Sequence, residues 1–122
     1  MADIIGTSGN DVLNDTGGAD NLFGLDGDDT LTASWGNDVL MGGNGNDVLD
    51  DSWGDDQLIG GEGNDQITSS HGNDILRGDG GNDVLEDTHG DDQLFGGDGN
   101  DTLTDSLGNN VLDGGSGADT MT

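Results

Sequence analysis

An aspartate returns at every ninth residue along almost the whole chain: Asp11, Asp20, Asp29, Asp38, Asp47, Asp56, Asp65, Asp74, Asp83, Asp92, Asp101 and Asp119, with Asn110 in the one remaining place. A glycine stands two residues before each of them, from Gly9 to Gly117. Carboxylates at fixed spacing, beside turns that lack side chains, suit the binding of a hard cation. Such an ion takes about six to eight oxygens, and a glycine-rich turn can aim several backbone carbonyls at a point where a carboxylate supplies charge. Catalysis has no comparable support. No nucleophile, base and third group stand out from the spacing, so no enzyme activity and no catalytic residue is expected. No stretch matches the EF-hand pattern of alternating Asp/Asn ligands, Gly and a distant Glu. His71 and His89 offer two ligands without a third, which argues against a transition-metal site.

A repeating element must position these residues. From Gly6 the sequence divides into thirteen consecutive nonapeptides with no insertion or deletion. Within a unit numbered one to nine, position four is always Gly, position six is Asp or Asn110, and position eight is Leu except at Ile67 and Met121. Odd units mostly open Gly-Gly-x-Gly-x-Asp, as in GGNGND and GGEGND, whereas even units read x-[Ser/Thr]-x-Gly-x-Asp, as in ASWGND, DSWGDD and DTHGDD. The structural unit is therefore eighteen residues, and the alternation marks two sides of one coil. Positions one to six, rich in Gly, Asp, Asn and Ser, predict a turn. Positions seven to nine predict a short strand whose middle side chain points one way and whose flanks point the other. Turn, strand, turn, strand closes a coil. Coils stacked about 4.8 Å apart give two small parallel sheets with the leucine ladders between them. The expected fold class is all-β, a solenoid of about 6.5 coils over residues 6–122, with residues 1–5 as a short N-terminal lead or partial cap.

Composition narrows the partners. Only 28% of the 122 residues are hydrophobic, and Arg77 is the single base against 27 acids, giving a formal charge of −26. Such a chain repels itself when compact unless something neutralises it, and composition alone would leave it disordered. The absence of proline and the regular placement of 26 glycines argue for order instead. Nucleic acid and anionic membranes are poor partners for so acidic a surface, so no nucleic-acid binding and no membrane insertion is expected, because such affinity comes from Lys and Arg meeting phosphate. Cations are the natural partners. Cysteine is absent, no apolar run is long enough to insert in a membrane, and residues 1–5 lack the charged and apolar regions of a secretory signal peptide.

GGNGNDVLD (residues 42–50) and GGDGNDTLT (96–104) match the signature Gly-Gly-x-Gly-x-Asp-x-apolar-x, and over residues 6–122 the chain resembles the RTX, or hemolysin-type, calcium-binding repeat proteins. The resemblance implies a right-handed parallel β-roll with calcium between each turn and the turn eighteen residues later. Asp11, Asp29, Asp47, Asp65, Asp83, Asp101 and Asp119 would then bound six sites on the odd-turn side. Asp20, Asp38, Asp56, Asp74, Asp92 and Asn110 would bound five on the even-turn side, about eleven Ca2+ per chain in all. Carbonyls of Gly9, Gly27, Gly43, Gly45, Gly61, Gly63, Gly81, Gly97, Gly99, Gly115 and Gly117 would complete the shells. Asn110 carries no charge, which makes the Asp92/Asn110 interval the weakest expected site. Eleven divalent ions would bring the charge from −26 to about −4, so the chain is expected to be disordered without calcium and folded with it. The resemblance further implies a bacterial protein secreted through a dedicated exporter by a C-terminal signal. The chain ends inside the repeat array and displays no such signal.

Three other sets of positions invite a role. Position three of the even turns reads Gly17, Trp35, Trp53, His71, His89, Leu107, a ledge that either covers the turn or offers a platform to a sugar face or protein partner. The outward positions of the even strand carry Phe23, Val39, Met41, Ile59, Ile75, Phe95 and Val111, an apolar stripe of the kind that marks an interface. The odd strand carries Thr30, Thr32, Thr68, Thr102, Thr104, Thr120 and Thr122, an array like an ice-binding face but interrupted by Asp50 and Glu86. Solenoids need capped ends, so the chain is expected either to be part of a longer protein or to stack head to tail into a filament or layer. The leading functional reading is an extracellular calcium-binding structural β-roll. Its alternatives are a fragment of an RTX toxin, adhesin or secreted hydrolase, and a glycan- or ice-binding module.

Overall fold

The leucine period dictates the architecture. In the computed structural model, which describes all 122 residues, fourteen strands and no helix form two seven-stranded parallel sheets. One sheet holds β1 (Asp3–Ile5), β3 (Asn21–Asp26), β5 (Val39–Asn44), β7 (Gln57–Glu62), β9 (Ile75–Gly80), β11 (Gln93–Asp98) and β13 (Val111–Ser116) in that order. The other holds β2 (Val12–Asn14), β4 (Thr30–Thr32), β6 (Val48–Asp50), β8 (Gln66–Thr68), β10 (Val84–Asp87), β12 (Thr102–Asp105) and β14 (Thr120–Met121). Every strand from β1 to β12 pairs with the strand two elements on, and Leu22 faces Leu40, Leu40 faces Leu58 and Leu58 faces Leu76 in register. The chain is thus a β-solenoid with a repeat of eighteen residues.

Position eight makes the core. Leu22, Leu40, Leu58, Leu76 and Leu94 from one sheet meet Leu31, Leu49, Ile67, Leu85 and Leu103 from the other, all fully buried. Ile4, Leu13 and Leu112 pack against the ends of this column. Asp3–Ile5 form the outermost strand of their sheet, with Ile4 opposite Leu22.

The two sides of the coil differ in a way that a uniform split into turn and strand does not capture. Strands after the even turns run for six residues, through positions one to three of the next odd unit, whereas those after the odd turns run for only two to four. The Gly-Gly pair therefore belongs to the ladder: Gly43 pairs with Gly61, and Gly97 with Gly115. The physical reason is backbone conformation. Gly43, Gly61 and Gly97 have φ of 115°, 111° and 108°, so the strand bends there without leaving its partners. Leu25 (φ 86°) and Asp79 (φ 75°) hold the same place in their coils as non-glycine residues.

On the outer faces, Phe23, Met41, Ile59, Arg77 and Phe95 share one column, and Asn21, Val39, Gln57, Ile75 and Gln93 the other. Arg77 cuts the apolar stripe and lies 5.0 Å from the Phe95 ring centroid. On the opposite sheet Thr32, Asp50, Thr68, Glu86 and Thr104 alternate down one column.

The bend at odd position two yields a prediction. Left-handed backbone costs a non-glycine residue about 1–2 kcal/mol, part of which glycine returns as chain entropy. Asp79→Gly is expected to stabilise the fold by about 0.5–1 kcal/mol in thermal unfolding with calcium present. Gly61→Ala, whose β-carbon would run into the Gly43 carbonyl, is expected to cost roughly 1–3 kcal/mol. Equal melting temperatures for wild type and both variants would contradict this reading.

Candidate metal centres

Beyond Asp11, each position-six aspartate has two oxygens with separate tasks. Its Oδ1 accepts a hydrogen bond from the backbone N–H of the residue eighteen places earlier: Asp11 N to Asp29 at 2.8 Å, Asp29 N to Asp47 at 2.8 Å, Asp47 N to Asp65 at 2.8 Å, Asp65 N to Asp83 at 2.8 Å, Asp83 N to Asp101 at 2.8 Å and Asp101 N to Asp119 at 2.9 Å. Oδ2 of Asp29, Asp47, Asp65, Asp83 and Asp101 is buried and receives no hydrogen bond. At the first odd turn Asp11 Oδ2 instead accepts from the Thr7 backbone at 2.5 Å and hydroxyl at 2.9 Å.

Carbonyl oxygens of position-one glycines lie beside several of these orphaned atoms. A β-carbon on Gly24 would meet both Asp29 Oδ2 and the Gly42 carbonyl, and one on Gly78 would meet Asp83 Oδ2 and the Gly96 carbonyl. Bare α-carbons thus leave room for two oxygens from adjacent coils to approach one spot. The carbonyls of Gly9, Gly27, Gly45, Gly63, Gly81 and Gly99 point along the solenoid toward the α-carbons of Gly27, Gly45, Gly63, Gly81, Gly99 and Gly117, and those of Gly43 and Gly97 toward Gly61 and Gly115. Gly61 pairs with Asp79, while Gly115 and Gly117 stand in the last turn. The donor set of an odd corner is therefore all oxygen, with carboxylate and carbonyl both present. That set fits a hard divalent ion such as calcium and would hold a soft metal poorly.

The even edge repeats the clamp but not the corner. Asp20 N bonds Asp38 Oδ1 at 2.6 Å, Asp38 N bonds Asp56 at 2.7 Å, Asp56 N bonds Asp74 at 2.8 Å, Asp74 N bonds Asp92 at 2.9 Å and Asp92 N bonds Asn110 Oδ1 at 2.9 Å. Oδ2 of Asp38, Asp56 and Asp92 has no partner. That of Asp20 accepts from the Thr16 hydroxyl at 2.7 Å, the main reason its pKa lies below the ordinary value. Asp74 Oδ2 accepts from the Ser69 hydroxyl at 2.7 Å. At even position one Asp51 and Asp87 are 0% and 1% exposed. Asp38, Asp51 and Asp56 each offer an oxygen within 4.8 Å of the other two, and so do Asp74, Asp87 and Asp92.

Beyond Asp20, neither edge has a counter-charge from the protein. Arg77 is engaged with Phe95, and the one ion pair joins the N-terminal ammonium to Asp20 at 3.7 Å. Burial, reinforced by like-charged neighbours, pushes Asp51, Asp56, Asp65 and Asp87 up to about 7 and Asp83 and Asp92 to about 6. Desolvation also raises Asp38, Asp47, Asp74 and Asp101.

Some residues that shape the two edges escape the repeat pattern. Position five forms a second clamp of opposite sense: the Oδ1 atoms of Asn46, Asn64 and Asn82 accept from the N–H groups of Asn64, Asn82 and Asn100 on the following coil, each at 2.8 Å. Asp51 and Asp87 also stand outside the conserved spacing, and the only signal for them is an acid where odd units carry Gly. The ledge forms as a stack: Trp35 on Trp53 at 5.3 Å, Trp53 on His71 at 4.0 Å and His71 on His89 at 4.6 Å, all within 15° of parallel.

A family model for the RTX calcium-binding nonapeptide repeat matches residues 3–31, 14–49, 32–67, 50–85 and 88–121. None of the curated proteins compared with the chain matches it.

The raised carboxylates predict opposite responses to acid with and without metal. A carboxylate whose folded pKa exceeds its unfolded value adds stability below the unfolded value, and that stability is lost as pH rises through about 6 to 7. In EDTA, circular dichroism should therefore show more β-structure near pH 5 than at pH 8. In calcium the ligands must be deprotonated, so the calcium concentration at the folding midpoint should rise on acidification. A metal-free spectrum with no pH dependence would contradict the assignment.

Proposed function

This chain belongs to the RTX calcium-binding nonapeptide repeat family, and from that premise we propose that it is a structural β-roll that folds as its calcium sites fill and works outside the cell. The observation that carries the reading is the row of buried carboxylate oxygens without hydrogen-bond partners, one at each inner odd corner. Asp29, Asp47, Asp65, Asp83 and Asp101 clamp the preceding coil through Oδ1 and offer Oδ2 to the ion. Asp11 and Asp119 close the first and last odd intervals, and glycine carbonyls at positions one, two and four supply neutral oxygens. Calcium supplies the positive charge that lets these carboxylates remain ionised in a dry edge. Six odd and five even intervals set a capacity of about eleven ions, which would reduce the charge from −26 to about −4. Sites built mostly from neutral carbonyls bind weakly, on the scale of extracellular modules at about 10⁻⁴–10⁻³ M. That scale supports a chain unfolded inside a bacterium and rigid once secreted. End-to-end stacking of copies would continue both leucine columns and both clamps, supporting a filament or layer.

A second reading rests on the ring stack. Trp35 and Trp53 are 63% and 44% exposed, and parallel rings along one edge suit the flat faces of sugars. Titration of the calcium-loaded protein with soluble glycans would shift Trp fluorescence if the ledge binds them. Unchanged emission across a broad glycan set would leave the stack as a cover for the turns.

For the leading reading, circular dichroism in EDTA is expected to show a disordered chain, and millimolar calcium a cooperative gain of β-structure that chelation reverses. Magnesium, which needs a tighter octahedral shell, is expected to fail at the same concentration. Identical spectra in EDTA and calcium would reject the proposal. In the same titration, sedimentation as a monomer at every calcium concentration would reject end-to-end assembly.

A further inference from the structure

Position one is where the two edges part. Odd units place Gly6, Gly24, Gly42, Gly60, Gly78, Gly96 and Gly114 there, and even units place Asp15, Ala33, Asp51, Ser69, Asp87 and Asp105. In two coils the even residue is a fully buried acid. Asp51 Oδ1 accepts from the Ser52 N–H at 2.6 Å and Asp87 Oδ1 from the Thr88 N–H at 2.6 Å. Their Oδ2 atoms have no partner, and neither have those of Asp38, Asp56 and Asp92. Each acid of the first cluster has one oxygen committed to the backbone and directs the other among its neighbours, with nothing to donate to it.

The coil that supplies Asp74 to the second cluster handles the same place differently. Ser69 stands at position one, and its hydroxyl donates to Asp74 Oδ2 at 2.7 Å. That neutral donor satisfies Asp74, so the second cluster keeps two unpartnered oxygens, on Asp87 and Asp92, where the first keeps three. An acid at that place adds a third negative charge to a site already short of donors, and only a cation compensates three carboxylates held so close in a dry corner.

We propose that Asp38/Asp51/Asp56 and Asp74/Asp87/Asp92 form a second class of ion site, compact and tri-carboxylate, that takes a hard cation more tightly than the glycine-carbonyl intervals and fills first. The inference rests on the reading of the chain as a calcium-binding β-roll. Calcium leaves each corner with one net negative charge, and a trivalent lanthanide leaves it neutral, so terbium should prefer these corners to the odd ones by about tenfold or more. The two tryptophans of the chain lie in even turns, Trp53 in the same turn as Asp51 and Asp56, and they serve as the antenna.

The test is a terbium titration of the full chain, read by Trp-sensitised luminescence and by equilibrium dialysis, alongside Asp51→Asn/Asp87→Asn and Ser69→Asp. Wild type is expected to bind two tight equivalents before a weaker phase. The double variant should lose that tight phase and show a lower melting temperature in calcium, while Ser69→Asp should bind a third tight equivalent. A tight phase of two retained in the double variant, or a double variant that melts higher than wild type, would overturn the proposal. The second outcome would mean that the acids merely repel one another. If the double variant fails to fold, Ser69→Asp decides, and two tight equivalents there count against the proposal. A wild type that neither folds with calcium nor binds terbium would instead sink the calcium reading itself.

Discussion

The structure depends on a carboxylate that faces two ways. At eight of the position-six aspartates, one oxygen ties a coil to its predecessor through a backbone N–H, and the other is left buried at the corner with no donor. The first interaction builds the stack one coil at a time and the second makes the stack carry uncompensated charge. A neutral amide keeps the first and forgoes the second, as Asn110 does when it accepts from Asp92 N at 2.9 Å. That the repeat otherwise holds to aspartate indicates that the charge itself has a use. On the proposed reading, the free energy of ion binding would be free energy of folding. The hydrophobic contribution is small by comparison, two facing columns with ten fully buried Leu and Ile side chains in all.

The two edges of the coil solve the corner differently. On the odd edge the Gly-Gly pair extends the strand while bending it, so that carbonyls of successive coils align beside Oδ2. On the even edge the strand stops sooner, hydroxyls and acids replace glycine at position one, and flat rings stack outside. One edge is uniform from coil to coil, whereas the other changes its donors at each step. Opposed clamps at positions five and six hold both edges in register, pulling on the following and the preceding coil respectively. Register is therefore fixed by side-chain oxygens as well as by the leucine columns, which suits a chain with so little apolar surface.

Much of this was legible in the sequence because a solenoid writes its period directly into the chain. Thirteen units without a gap gave the coil length, the parallel pairing and the inward leucine, and the structure reproduces each of them. Recurrence also picked out the position-six acids. What it could not convey is which lone pair of Asp47 or Asp65 serves the backbone and which stays free, because that depends on how coils stack. The six-residue strands were hidden for a related reason: Gly-Gly reads as a turn by composition, yet at Gly43 and Gly61 it bends within a ladder. Asp51 and Asp87 were masked because they vary among even units, and a pattern-based reading discounts what varies. Their significance lies in burial, which the spacing of residues does not reveal.

The most direct test of the central claim is anomalous scattering from crystals of the chain grown in calcium and in terbium. The account predicts peaks between successive coils, beside Oδ2 of Asp29, Asp47, Asp65, Asp83 and Asp101, each with carbonyl oxygens of the flanking glycines at about 2.3 to 2.6 Å. Clear maps without a peak at any of those corners, despite millimolar metal in the crystal, would contradict it.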